Sequence, residues 1–378
     1  MRAKTVSAIL GVILVAGLLI GCAPAADEAP APSDEEQPAA AETETEEPAA
    51  AETEVIEWAC PCAVGESGPM WTHMIGALTD SVAEMSGGRF IITPYPAGAL
   101  CAAFEVTDAV QGGVAPMGWN WPGQDIGKDK TCCLFGGGPA SPSSEEYLHL
   151  IYYGGGLELW EEWGADVLGL QVFPGGLRPA ETGFWSSKPI RGLDDFDCLK
   201  IRTAGIWGDL LPELGASAVS LPGGETFEAL ERGVIDATEW GSPYEDLFAG
   251  FYEIVDYIIV PGVHQPAAPF MFMVDPDAWA SLPDEYKAMV RAGSDQSMLQ
   301  SWTYIGVGGA EAYQTYAEHG NEIIVLPIEV NKKVKELREA YDDAESATNP
   351  WYDKVVESQR AFLELWKSAD QYRNVQYE

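Results

Sequence analysis

Hydrophobic and polar positions along the first half of the chain switch repeatedly between a period of two and a period near 3.6. Residues 57–63 (EWACPCA) and 89–95 read as strands. Between them Met70, Met74, Leu78, Val82 and Met85 recur at helical spacing, and Gly87–Gly88 ends the run. Residues 104–111 predict a second helix, stopped by Gly112–Gly113, and 115–121 a third strand. A long helix over 145–163, interrupted near Gly154–Gly156, precedes a strand over 168–173 and a polar crossing loop, PGGLRPAETGFWSSKPI.

The same alternation is densest over residues 199–240. A short apolar run ends on Arg202, a helix follows, then a strand (ASAVSLP), a second helix (ETFEALERG) and a last strand closing on Glu239–Trp240. Strand and helix in this order predict parallel α/β structure, in which ligands collect at strand ends. Arg202 and Glu239–Trp240 both fall at such ends, so an arginine, a carboxylate and an aromatic wall converge in a way that suits a small organic anion. Residues 253–260 begin a return path and 270–274 form a strand rejoining the first half. Residues 282–319 predict a helix long enough to cross both halves, and 331–368 two more helices broken at Asn349–Pro350. A chain that leaves one α/β half, builds another and re-enters the first describes a two-lobed clam with its ligand between the lobes.

The N-terminus lies outside this pattern. Arg2 and Lys4 precede an apolar stretch, residues 9–20, that ends LLIGC. Residues 1–21 therefore read as a lipoprotein signal peptide, with acylation of Cys22 anchoring the chain to a membrane from the extracytoplasmic side. Residues 22–54 form an acidic tether, with eleven carboxylates and no basic residue from 23 onward. That composition cannot bury enough apolar surface to order itself. Lobe I is expected over 55–177 and 264–303, lobe II over 178–263 and 304–350, and a C-terminal helix over 351–378.

Charge and cysteine narrow the function. Setting aside the leader's two positive charges and the linker's eleven negative ones, the net charge of −38 still leaves −29 on the globular part. Nucleic acid is excluded as a partner, since phosphate contacts need basic patches. An anion site in such a molecule must rely on local positive charge or a co-bound cation. Six cysteines remain besides Cys22, an even number that suggests disulfides in an exported chain. Trp119, Asn120 and Trp121 end the third strand, where a ligand-facing loop starts; core packing and a pocket wall are equally open for the tryptophans.

The runs KPIRGLDDFDCLKIRTAG, LPELGASAV, ALERGVIDATEW and WASLPDEYKAMV resemble the solute-binding proteins of TRAP (tripartite ATP-independent periplasmic) transporters. ATEWGSPYEDLFAGFYEIVDYIIVPG is most similar to the branch that binds 2-oxo acids or lactate with a metal ion. The resemblance implies a periplasmic-binding-protein-like α/β clam with a hinge, a long bridging helix, extra C-terminal helices and often a homodimer. It implies that Arg202 binds the ligand carboxylate, with Trp240, Glu181 and Gln265 around the ligand; Asn120 and Trp121 are added as ligand-facing residues from their place at the end of the third strand. It also implies a metal held by Glu239, the Trp240 backbone oxygen, Gln265 and Glu181. The branch commonly has Gln where this chain has Glu181. The added charge favours Ca²⁺ over Na⁺. The implied partners are a small monocarboxylate and integral-membrane TRAP subunits. The implied role is a receptor, not an enzyme. A metal-dependent enzyme would gather histidines at the site, yet of the four only His264 adjoins a proposed site residue. A ligand-binding sensory partner is the remaining alternative.

Overall fold

The computed structural model describes residues 55–373. Strand β1 (Ile56–Pro61) leads through the helical segment Trp71–Ile75 into α1 (Gly76–Met85), then β2 (Phe90–Tyr95), α2 (Val106–Gln111) and β3 (Met117–Asn120). The interrupted helix is two: α3 (Ser144–Tyr153) and α4 (Gly156–Trp163), divided where Gly155 takes a left-handed φ of 82°. Ser143 and Glu146 form a reciprocal capping box at the start of α3, which fixes its first turn.

Strand β4 (Gln171–Arg178) runs well past the expected end at Phe173. Pro174, Gly175 and Gly176 look like turn residues in sequence. In the structure they sit inside a strand whose register shifts beside Phe270 and Met271 of its neighbour. The crossing loop therefore shrinks to residues 179–183, because β5 (Phe184–Ser186) follows at once. The second half is built from β6 (Lys200–Arg202), β7 (Ser217–Val219), α5 (Gly223–Glu231), β8 (Ala237–Thr238), α6 (Pro243–Ala249) and β9 (Tyr257–Val260). Strand β10 (Ala268–Val274) returns to the first half. Helix α7 (Asp284–His319), strand β11 (Glu322–Val325) and helices α8 (Ile328–Ser346) and α9 (Pro350–Ser368) complete the chain. Asn349 caps α9 by accepting from the amides of Trp351 and Tyr352, with Pro350 at its first position.

Two groups of strands result. β1 pairs with β2 in parallel, and a parallel bridge from Cys62 to Trp119 joins them to the sheet β3-β10-β4. The other sheet has the order β11-β9-β5-β8-β6-β7. β6 is parallel to β7 and β8, so Arg202 and the residues after Thr238 emerge at the same edge. Helix α7 has 36 residues, about 54 Å of rise. Its Ile305 packs in the core beneath the first sheet, while Ala312 and Tyr316 pack in the core around Trp185 of the second.

All six cysteines at positions 60, 62, 101, 132, 133 and 198 are free thiols, correcting the disulfide expectation. Burial among apolar neighbours stabilises four of them as small hydrophobic side chains. Among the described residues no helix is long and apolar enough to cross a membrane. The leader and the acidic tether, residues 1–54, lie outside the described residues.

Candidate functional site

The site is wired from the start of α6. Ser242 caps that helix: its hydroxyl accepts from the Glu245 amide at 3.3 Å, and the Glu245 carboxylate accepts from the Ser242 amide at 2.9 Å. The same carboxylate lies 2.5 Å from Nε of Arg178, at the end of β4. Arg178 Nη1 in turn donates to Glu181 Oε1 at 2.6 Å and to the Trp240 carbonyl at 3.4 Å. A capping motif, a strand end and the short crossing loop are thereby locked together by a buried ion pair and charge-assisted hydrogen bonds.

Arg202 is the second buried guanidinium, only 5% exposed. Its Nε and Nη2 donate to the Leu221 carbonyl at 3.1 and 3.0 Å, and Nη1 to the Glu239 carbonyl at 3.1 Å. A guanidinium carries five N–H groups. With a longer 3.5 Å contact from Nη1 to Glu239 Oε1, these bonds leave one free hydrogen on Nη2 beside a weakly held Nη1, the paired edge that fits a carboxylate. The guanidinium lies 5.3 Å from the centre of the Trp240 ring, which stands against Gly223 so closely that any Cβ there would overlap it.

Three further buried groups face one another nearby. His264 Nε2 lies 3.1 Å from Glu181 Oε2 and 4.0 Å from Glu239 Oε2. One ligand atom from each of Glu181, Glu239 and His264 falls within 4.8 Å of the others. Burial pushes the Glu181 carboxyl up, but the Arg178 charge and the His264 hydrogen bond outweigh it and hold it below its ordinary value. Glu181 is thus kept as a carboxylate. Glu239 Oε1 accepts from the Ala204 amide at 3.0 Å, which turns its other oxygen toward His264. Two carboxylates and an imidazole in a buried cluster are a donor set that fits a metal ion.

These groups line a cavity of about 90 Å³ together with Trp121, Trp207, Met70, Phe104, Phe270 and Cys133. Of the residues named from sequence, Arg202, Glu181, Glu239, Trp240, Gln265 and Trp121 all line it. Gln265 Nε2 donates to the Gly136 and Ala267 carbonyls at 2.7 and 3.0 Å, so its side-chain oxygen is the end left to accept. Trp121 is fixed by a 2.7 Å bond from Nε1 to the Gly136 carbonyl.

Asn120 is not among the lining residues. Its amide nitrogen is committed to Thr107 and Asp125, both at 3.1 Å, beneath the strand end. The two tryptophans of that strand divide: Trp119 stacks on Phe270 at 4.9 Å in the core, while Trp121 forms wall. Trp185 is fully buried below the site and donates to Asp246 at 2.7 Å. Arg178 and His264 were not named from sequence as site residues. Their signals were present, since Arg178 stands three residues before Glu181 and His264 immediately before Gln265.

A family model described as bacterial extracellular solute-binding protein, family 7, matches residues 158–347. The chain belongs to this family. It is a TRAP solute-binding protein, an extracytoplasmic receptor and not an enzyme. The monocarboxylate 2-oxoacid-binding periplasmic protein of Nostoc sp. is 29% identical over 306 residues, 80% of this chain and 84% of the relative. Among solved structures, a TRAP periplasmic solute-binding protein from Pseudoalteromonas atlantica, with bound sodium and pyruvate, superposes with a TM-score of 0.80 at 27% identity, covering 85% of this chain and 97% of that one. One from Colwellia psychrerythraea, with bound calcium and pyruvate, gives 0.80 at 25% identity, covering 85% and 98%. The mixed α/β architecture, the long helix α7 and the C-terminal helices are those of TRAP solute-binding proteins.

Proposed function

We propose that this receptor captures a small monocarboxylate, a 2-oxo or 2-hydroxy acid, together with a divalent cation, and delivers it to the membrane subunits of a TRAP transporter. The carrying observation is the Arg202 fork, buried, held by backbone carbonyls and turned into a cavity that also holds Glu181 and Glu239. Free space of about 90 Å³ corresponds to a few waters at about 30 Å³ each, so the ligand is small. The relatives that bind 2-oxo acids and pyruvate support this ligand class.

Charge favours a divalent ion such as Ca²⁺ over Na⁺. Burial pushes the Asp246 carboxyl well above its usual value, toward its neutral form. The guanidinium groups of Arg178 and Arg202 face the carboxylates of Glu181, Glu239 and Glu245, which leaves one negative charge. A monocarboxylate raises the excess to two, and a divalent cation cancels it. Glu181, Glu239, the Trp240 carbonyl and the Gln265 side chain would hold that ion, and when bound it supplies charge to the keto or hydroxyl oxygen. Arg202 takes the carboxylate, while Trp121, Trp240 and Phe270 exclude water. The two sheets then serve as lobes that close on the ligand, with Cys22 as lipid anchor and the C-terminal helices as a homodimer surface.

Titration calorimetry of the metal-stripped chain with pyruvate, lactate, alanine and a neutral hexose, with and without Ca²⁺, tests the reading. Binding of pyruvate or lactate that strengthens at least tenfold with the cation is expected. Binding confined to the hexose overturns it.

A further inference from the structure

Charge does not separate Ca²⁺ from other divalent ions; donor atoms do. We propose that His264 is a nitrogen ligand in the cation site, which makes the site a mixed carboxylate–imidazole centre selective for a first-row transition divalent ion over Ca²⁺ and Na⁺. The inference rests on a cation occupying the cluster described above.

Ca²⁺ and Na⁺ sites are built from oxygen donors, whereas an imidazole with carboxylates suits Mn²⁺ to Zn²⁺. His264 is 3% exposed, and Nε2 is the ring nitrogen that faces both carboxylates, at 3.1 and 4.0 Å. Donors sharing an ion at about 2.1 Å stand roughly 3.0 Å apart when adjacent and about 4.2 Å apart when opposed. The two observed separations fall in that range. Donors around Ca²⁺, at about 2.4 Å, spread to roughly 3.4–4.8 Å, which takes the 4.0 Å separation but not the 3.1 Å one.

The ring is not free to turn away. It is bounded by Phe184 and Trp207, with centroids 6.0 and 6.1 Å distant. The backbone on its C-terminal side is tied down, since the Gln265 amide donates to the Gly262 carbonyl and the Gln265 carbonyl accepts from the Glu181 amide. Gly262 stands so close to the Glu181 backbone that any Cβ there would overlap it, which brings the two loops into contact. Nδ1 is buried and has no partner among the described residues. Nε2 is the nitrogen that faces the carboxylates, and an ion there would replace its hydrogen bond to Glu181, leaving the ring proton on Nδ1. The simpler alternative is that Nε2–H donates to Glu181 and stays out of any cation's coordination.

The test uses the full chain stripped of metal and reloaded with Mn²⁺, with and without pyruvate. Pulsed electron paramagnetic resonance is expected to show nitrogen-14 coupling to the bound Mn²⁺, lost in His264→Gln. In direct competition the unmodified chain is expected to prefer Mn²⁺ to Ca²⁺ by at least tenfold, and His264→Gln to lose that preference while still binding Ca²⁺. Bound Mn²⁺ without nitrogen coupling in the unmodified chain overturns the proposal, whatever the variant does. So does equal or tighter Ca²⁺ binding. Pyruvate affinity, measured separately, distinguishes the two readings. A chain that binds pyruvate with Ca²⁺ and shows no nitrogen coupling sinks this inference alone, and one that binds metal but no 2-oxo or 2-hydroxy acid sinks the proposed ligand class.

Discussion

The guanidinium of Arg202 lies 5.3 Å from the centre of the Trp240 ring, while the carbonyl of that same tryptophan accepts from Arg178. One residue thus touches both buried arginines, by its ring and by its backbone, and the two arginines carry different burdens. Arg202 is fixed by backbone oxygens, lies 3.5 Å from Glu239 Oε1 and turns the rest of its fork to the cavity. Arg202→Lys keeps the charge but loses the fork. We expect pyruvate affinity to fall by roughly 10- to 100-fold, the loss of about 1.5–3 kcal/mol from a charge-assisted bond. Calorimetry checks this, and an unchanged dissociation constant would refute the role.

Arg178 is spent within the protein, between Glu181 and Glu245. Arg178→Met leaves two buried carboxylates without their counter-ion, at a cost of about 3–5 kcal/mol. Chemical denaturation should show that loss even in the absence of ligand, whereas Arg202→Lys, which keeps the charge but strips donors from the Leu221 and Glu239 carbonyls, should cost less, about 1–3 kcal/mol.

Gly223 sets the position of the Trp240 ring. Gly223→Ala forces the ring off its place over Arg202 while leaving the Trp240 carbonyl where it is. The expected result is weaker binding of the organic acid with cation affinity nearly unchanged. Parallel titrations with pyruvate and with metal alone decide it; equal losses in both would count against this division of labour.

Asp246 gives the pH dependence. Its folded value is raised by burial, so the native state holds a proton that the unfolded chain releases. The penalty for burying it is absent below the unfolded value of about 3.9 and grows as pH rises from there toward the folded value. Asp246→Asn retains an acceptor for the Trp185 indole, which donates at 2.7 Å. The variant should match the parent near pH 4 and gain stability over it by pH 7. Superimposable stability curves across that range would refute the assignment.

Removing the cation with a chelator should lower both the melting temperature and ligand affinity. At a concentration one hundred times its dissociation constant, a bound ion contributes about 2.7 kcal/mol, several degrees for a chain of this size. Differential scanning calorimetry before and after dialysis measures it.

Arg202 and Glu239 were legible in the sequence because each ends a short apolar run that reads as a parallel strand. Periodicity likewise marked α1, and the Asn349–Pro350 dipeptide marked the break before α9. Periodicity failed where local chemistry and tertiary context disagree. Pro174–Gly176 carry turn propensity but lie in β4, paired with β10. Strand β11 is four residues at a sheet edge and left no pattern. Asn120 was placed at the ligand because it ends a strand, yet the Asp125 and Thr107 side chains draw its amide inward. His264 was visible beside Gln265, but its facing Glu181 and Glu239 depends on loops distant in sequence.

The six unpaired cysteines bear on how the molecule is made. With no sulfur cross-link among the described residues, the fold closes by packing and hydrogen bonding alone. Thiol reductants should leave its melting curve where it was, and the globular part should mature in a reducing compartment as readily as in an oxidising one. Cys133, on the cavity wall, then offers a chemical handle: an alkylating probe small enough to enter should label it slowly when the pocket is full and faster when it is empty.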